Sequence, residues 1–306
     1  MRALAFSSVL SLLLLSAPLS FAANGAEILW PRPLEALQGE LVEVAVGGDD
    51  LLGVDGLLGQ ERIYFQSSQA GVYTALVGVD VEAKPATVNL VLTATTVGGA
   101  QHQKRIPLKI KARSFHKESF SVAPSFDEMS PETLAEIRRE QAAFARAFAN
   151  TAAERFWSLP FLRPVPQEAS ASSFGSRRII NGVPRAPHTG TDLSAPAGTE
   201  VVAVNHGKVA LVGNYFFAGG SVIIDHGGGL YSMYFHLSEF KVEEGAMVRR
   251  GDVVALSGGT GRVTGPHLHW GVRLNNSRVD PLALLRKFSW QTDASETHKT
   301  STNSEK

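Results

Sequence analysis

The chain has 306 residues, of which 44% are apolar and 19% charged, and its 29 Lys plus Arg balance 29 Asp plus Glu. That balance excludes the broad basic surface of a nucleic-acid binder, and the length suggests roughly two domains with apolar material for a sizeable core. There is no cysteine, so disulfides are excluded and any bound transition metal must use His, Asp or Glu.

Residues 1–22 read as a secretory signal peptide. Arg2 supplies the positive end, Leu10 and Leu12 to Leu15 the apolar stretch, and Ser20 and Ala22 the small residues of a cleavage site. Ser11, Ser16 and Pro18 break the apolar run, which falls short of the ~20 residues of a spanning helix. The expectation is an exported chain, in the periplasm or at the cell exterior, with no membrane span once processed.

Residues 27–113 hold short β-branched runs separated by turn residues: Leu41–Val46, Val72–Val79, Val88–Thr95 and Ile106–Ile110. Such spacing predicts a small antiparallel β-sandwich. No cluster of titratable residues falls in it, and His102 and His116 read as surface residues.

Residues 114–166 read as a linker containing one helix. Ser130 is a good N-cap and Pro131 a good first residue. Leu134, Ile137, Phe144, Phe148, Ala152 and Phe156 then recur at helical spacing until Pro160, Pro164 and Pro166 stop it. The helix either packs on a neighbouring domain, the reading we favour, or covers part of an active site.

Residues 167–290 are again strand-rich. Val201–Val204, Lys208–Val212, Ser221–Asp225 and Tyr231–Phe235 predict a compact antiparallel β-fold, with Gly227, Gly228 and Gly229 as a hairpin connection. The polar tail, 291–306, reads as disordered.

This last domain carries the chemistry. His188 and Asp192 are four apart in a stretch where Pro184, Pro187 and Gly190 argue against a helix; in extended chain that even spacing puts both on one face. His267 and His269 are two apart, so on a strand they too point the same way. His236 ends the aromatic strand Tyr234-Phe235-His236. His188, Asp192 and one of the His267/His269 pair make a plausible open zinc site, since catalytic zinc keeps three protein ligands and a free position. The remaining imidazoles can then take a proton from water and donate to a developing oxyanion. No His-Glu-x-x-His helix is present to supply a glutamate base. His206 and His226 match no ligand position, and His226 beside its glycine turn reads as structural.

His188-x-x-x-Asp192, Tyr234-Phe235-His236-Leu237 and Gly265-Pro266-His267-Leu268-His269, in that order, resemble the lysostaphin-type (LytM-like) zinc metallopeptidases. The flanks Phe174-Gly175-Ser176-Arg177, Pro196-Ala197-Gly198-Thr199 and Ser257-Gly258-Gly259-Thr260-Gly261 are similar as well. The resemblance implies one zinc per chain on His188, Asp192 and His269, with His267 and His236 as the catalytic pair and His267 as the favoured base. It implies a zinc endopeptidase whose substrates are the peptide cross-links of bacterial peptidoglycan. Relatives with broken sites resemble activators of other wall enzymes, so a regulatory module is the alternative; here all five positions stand. Two departures are visible: Trp270-Gly271 replaces the aromatic-Glu of many relatives, and Val263 a small polar residue.

Overall fold

In this computed structural model residues 27–121, 130–166 and 173–286 are described. The leader and the polar tail read from the sequence lie outside them. The chain is mainly β. Its first half runs β1 (Leu34–Leu37), β2 (Leu41–Gly47), β3 (Leu51–Leu58), β4 (Glu61–Tyr64), β5 (Gln66–Gln69), β6 (Val72–Gly78), β7 (Ala86–Thr96) and β8 (Gln101–Lys111). These form a five-stranded sheet ordered β1-β8-β7-β3-β4 and a three-stranded sheet ordered β2-β6-β5. Alternation sets the core between them. Leu90, Leu92 and Ala94 of β7 and Ile106, Leu108 and Ile110 of β8 point inward, against Val44, Val46, Ala75 and Val77 of the smaller sheet. The expected antiparallel sandwich holds except that β1 pairs with β8 in parallel.

Next come β9 (Lys117–Phe120) and a long helix, α1 (Pro131–Ala149). Ser130 Oγ accepts the amide of Thr133 at 3.2 Å, and Pro131 opens the first turn. The helix stops earlier than its apolar spacing suggests. Asn150 is the C-cap, and beyond it Asp225 accepts the Ala152 amide at 2.8 Å and the Thr151 hydroxyl at 3.3 Å. A tertiary anchor thus overrides the periodicity at Ala152 and Phe156.

The second half contains β10 (Arg177–Ile180), β11 (Val183–Pro184), β12 (Gly190–Leu193), β13 (Glu200–Val202), β14 (Gly207–Tyr215), β15 (Gly219–Asp225), β16 (Leu230–Phe240), β17 (Met247–Val248), β18 (Val253–Ser257), β19 (Leu268–Leu274) and β20 (Ser277–Val279). β9 joins β10 in parallel in a small sheet with β11. The main sheet is antiparallel, with the path β12-β19-β16-β15-β14-β17. Both of its faces are covered, which is why every residue of β15 is buried. One face packs the larger core, through Val222, Ile224, Leu230, Tyr234, Leu268, Trp270 and Val272. The other carries Ile223, Tyr231 and Met233 under Ala143, Phe144 and Phe148 of α1.

The sandwich docks at the far end of β19 and on β20. Gly39 O accepts the Asp280 amide at 2.7 Å, and Arg278 bonds both carboxylate oxygens of Asp80. A Cβ on Gly78 would stand 2.7 Å from Leu274 O, so only glycine permits this approach.

Candidate metal centre

Three strands of the main sheet meet where its helix-bearing face is open. Asp192 on β12 pairs directly with His269 on β19, and His269 pairs with Phe235 on β16. The parity is that of the helix face: His269 alternates with the core residues Leu268 and Trp270. His188 stands two residues before β12, held by its amide to Ser176 O and by its own carbonyl to the Gly175 amide, at 2.9 and 2.8 Å. His267 stands one residue before β19, where its amide reaches Gly258 O at 3.1 Å.

The donor atoms converge tightly. His188 Nε2 lies 2.9 Å from His269 Nδ1 and 3.1 Å from Asp192 Oδ1, and His269 Nδ1 lies 2.9 Å from the same oxygen. Three ligands about 2.0–2.1 Å from one tetrahedral centre would be ~3.3 Å apart, so this triangle suits a small cation of zinc's size. Two neutral nitrogens and a carboxylate are also the donors zinc accepts without sulfur. It is the group that could hold a metal found among the described residues.

The support is largely backbone. His188 Nδ1 faces Ser173 O at 3.1 Å, and Ser173 Oγ accepts the Asp192 amide at 3.0 Å. The His269 ring stacks on Phe235, with 5.5 Å between centroids and 4° between planes. A Cβ on Gly190 would stand 2.5 Å from His269 Nε2, so the glycine between His188 and Asp192 leaves room for that ring. The departure at Gly271 has a packing counterpart: a Cβ there would meet Met233 Cε at 2.6 Å. Burial works against charge on Asp192, yet its hydrogen bonds with His188 and His269 hold the carboxyl well below the usual carboxylate range. Burial lowers His269.

Two more imidazoles border the triangle. His236 and His267 have ring centroids 4.8 Å apart, and His267 Nε2 is 3.7 Å from Asp192 Oδ1. Each ring donates through Nδ1 to a carbonyl, His236 to Thr260 O at 3.0 Å and His267 to Gly265 O at 2.9 Å. Each therefore presents Nε2 as a lone pair. Burial pushes His236 down to about 4, with the nearby His269 adding to the effect, so it is neutral near pH 7.

His236 reaches this place by a backbone irregularity. In an unbroken β16 it would share the core-facing side of Ser232 and Tyr234. Instead β16 pairs with β19 up to Phe235 and with β18 from Leu237, the register against β15 shifts, and His236 takes φ 66°. Such a bulge re-aims a side chain. All five sequence-selected residues are thus brought to one place. Ser173, Thr260 and Phe235 were not singled out for the site, and Ser173 and Thr260 act there partly through carbonyls that any residue carries.

Other candidates lie elsewhere. His226 is buried, with Nδ1 donating to His206 O at 2.7 Å and Nε2 bonded to Ser232 Oγ at 2.7 Å. Helix α1 flanks the centre and does not seal it: the Asp192 side chain keeps 39% of its surface exposed.

Comparison with known proteins agrees with this geometry. The profile of peptidase family M23 matches residues 186–281, which include all five site residues. The chain is 46% identical over 113 residues to the peptidoglycan DD-endopeptidase ShyA of Vibrio cholerae, covering 37% of this chain and 26% of that protein. It is 43% identical over 97 residues to the DD-carboxypeptidase/endopeptidase Mpg of Neisseria meningitidis, covering 32% of this chain and 22% of that one. The chain thus spans about a quarter of the length of these curated relatives. A crystal structure assigned to peptidase M23 from Pseudomonas aeruginosa aligns with a TM-score of 0.64 at 30% identity, over 84% of this chain and 96% of that one. With a solved relative covered almost end to end and the family profile laid over the metal centre, the chain belongs to peptidase family M23.

Proposed function

We propose that the protein is a zinc-dependent endopeptidase, with one zinc per chain, that hydrolyses the peptide cross-links of bacterial peptidoglycan outside the cytoplasm. The observation that carries this reading is the convergence of His188, Asp192 and His269 on one triangle bordered by His236 and His267. The names of the curated relatives point to the same substrate class, and in the described residues no helix is long and apolar enough to cross a membrane.

His188 Nε2, Asp192 Oδ1 and His269 Nδ1 would hold the metal. A bound zinc supplies Lewis acidity toward water and the scissile carbonyl. His267 takes the proton of the attacking water on Nε2, since its Nδ1 is committed to Gly265 O. The charged ring then returns that proton to the leaving amine. His236 borders the carbonyl side. Neutral at rest with Nδ1 bonded to Thr260 O, it stabilises the oxyanion only by taking up a solvent proton on Nε2 as that charge develops. The exposed edge of Asp192 leaves the side from which an extended peptide can approach.

The purified chain should digest isolated cell walls and release new amino ends identifiable by mass. A strong chelator should stop the reaction and added zinc restore it. Undiminished cleavage in the chelator would sink the zinc reading.

A further inference from the structure

Helix α1 presents one face to the main sheet, and most of that face is apolar: Ala143, Phe144, Ala147 and Phe148. One turn earlier the same face carries Glu140, a carboxylate with only 8% of its surface exposed. A buried carboxylate is costly unless its oxygens are satisfied. Glu140 is met by a loop, not by a cation: its Oε2 accepts the Phe217 amide at 3.0 Å, and the flanking amides of Ala218 and Phe216 also favour its charge. The hairpin turn between β14 and β15 is thus wrapped around a side chain from a distant helix.

That turn reaches the catalytic pair. Ala218 O accepts the His236 amide at 2.9 Å, at the residue whose backbone is left-handed. Phe217 O accepts the Arg262 amide at 3.1 Å, and a Cβ on Gly261 would stand 2.6 Å from that carbonyl. Thr260, in the same loop, donates its hydroxyl to Leu237 O and accepts the Gly220 amide, each at 2.8 Å, while its carbonyl holds the His236 ring. A non-glycine residue with positive φ persists only where its surroundings over-determine it. His236 is so determined by two loops, and Glu140 clamps one of them.

We propose that Glu140 is a positioning residue: by accepting the Phe217 amide it fixes the loop whose Ala218 carbonyl holds His236 in its left-handed conformation beside His267. The catalytic consequence rests on the endopeptidase reading; the structural link does not. Helix α1 then does more than cover apolar surface, because its docking sets the aim of an imidazole.

The test uses the full chain loaded with zinc, Glu140→Ala, Glu140→Gln, Glu140→Asp, and Phe148→Ala as a variant that loosens the same helix at its other end. With a soluble cross-linked muropeptide dimer, Glu140→Ala should lose ~10–100-fold in kcat, the scale of a small misplacement. KM should stay within about twofold and zinc content should stay unchanged, because no ligand is touched. Glu140→Gln, which keeps one acceptor oxygen, should recover most of kcat, and Glu140→Asp, drawn back by one methylene, should fall between. Hydrogen exchange at the amides of Phe217 and His236 should quicken in step with the loss. Unchanged kcat and exchange in Glu140→Ala, or in Glu140→Asp should the alanine variant not fold, overturns the proposal. So does an equal kcat loss in Phe148→Ala at matched melting temperature, which would make Glu140 a docking contact only. If the unmodified chain cleaves no dimer, exchange still decides: quickened amides keep the structural link and remove the activity reading, and unchanged amides remove the link.

Discussion

Asp192 is the residue on which the centre turns, because its Oδ1 lies within 3.7 Å of three different imidazoles. Its carboxyl is held in the charged form by His188 and His269 despite burial, so an uncharged replacement should disperse the triangle. Asp192→Asn should weaken zinc binding by more than about 100-fold, since even partners outside the ligand set cost 10–100-fold; metal analysis after dialysis reads this directly. His267→Ala should keep its zinc and lose ~10²–10⁴-fold in kcat/KM, the usual contribution of a positioned proton acceptor. Normal turnover in that variant would move the base to His236. The spacing of His188 to Asp192 and of His267 to His269 was readable because strand parity carries even-numbered neighbours to one face. His236 has the wrong parity for that argument. Only a bulge brings it round, and a bulge leaves no mark in the side chains around it. Ser173 and Thr260 were unreadable for another reason: much of what they offer the histidines is a main-chain carbonyl.

Strands and hairpins were legible where β-branched runs met glycines, as in β15, β16 and the turn between them. β3 was not, because Gly53 and Gly56 look like turn residues. In the fold Gly56 is a packing site, where a Cβ would stand 3.0 Å from Ile63 and Phe65 atoms. The β15–β16 hairpin also carries a pH response. Burial pushes His226 down to about 4 from its ordinary 6.5. Between those values the unfolded chain takes up a proton that the folded chain refuses. Stability should therefore decline as pH falls from about 6.5 and level off below about 4, by about 3 kcal/mol in full. His226→Gln should lower stability at neutral pH yet flatten the slope across that window, as read from urea midpoints at stepped pH. A slope unchanged by the substitution would assign the response to other groups.

Across the molecule, the sandwich and the main sheet of the second half are joined by a polar seam. Arg278 holds Asp80 through Nε at 2.9 Å and Nη2 at 2.6 Å and reaches Glu82 at 3.0 Å, while Arg113 meets the fully buried Asp280 at 2.9 Å. The Arg278 and Asp80 side chains are about a quarter exposed, so solvent screens part of their attraction. Arg278→Ala should cost about 1–2 kcal/mol. In a chain whose sheets share core residues, Leu41 and Leu76 packing with Leu274 and Val279, the loss should appear as one shifted unfolding transition. Two separate transitions would show that the seam alone couples the halves. None of this seam was legible in the sequence, because it joins residues nearly 200 positions apart whose types are ordinary surface types. The seam and the metal centre nevertheless lie on one strand: Leu274 and His269 of β19 are five residues apart, about 17 Å. An evolving lineage could exchange its amino-terminal module for another by matching a footprint around Gly78, Asp80 and Arg113, and inherit the histidine and aspartate cluster untouched.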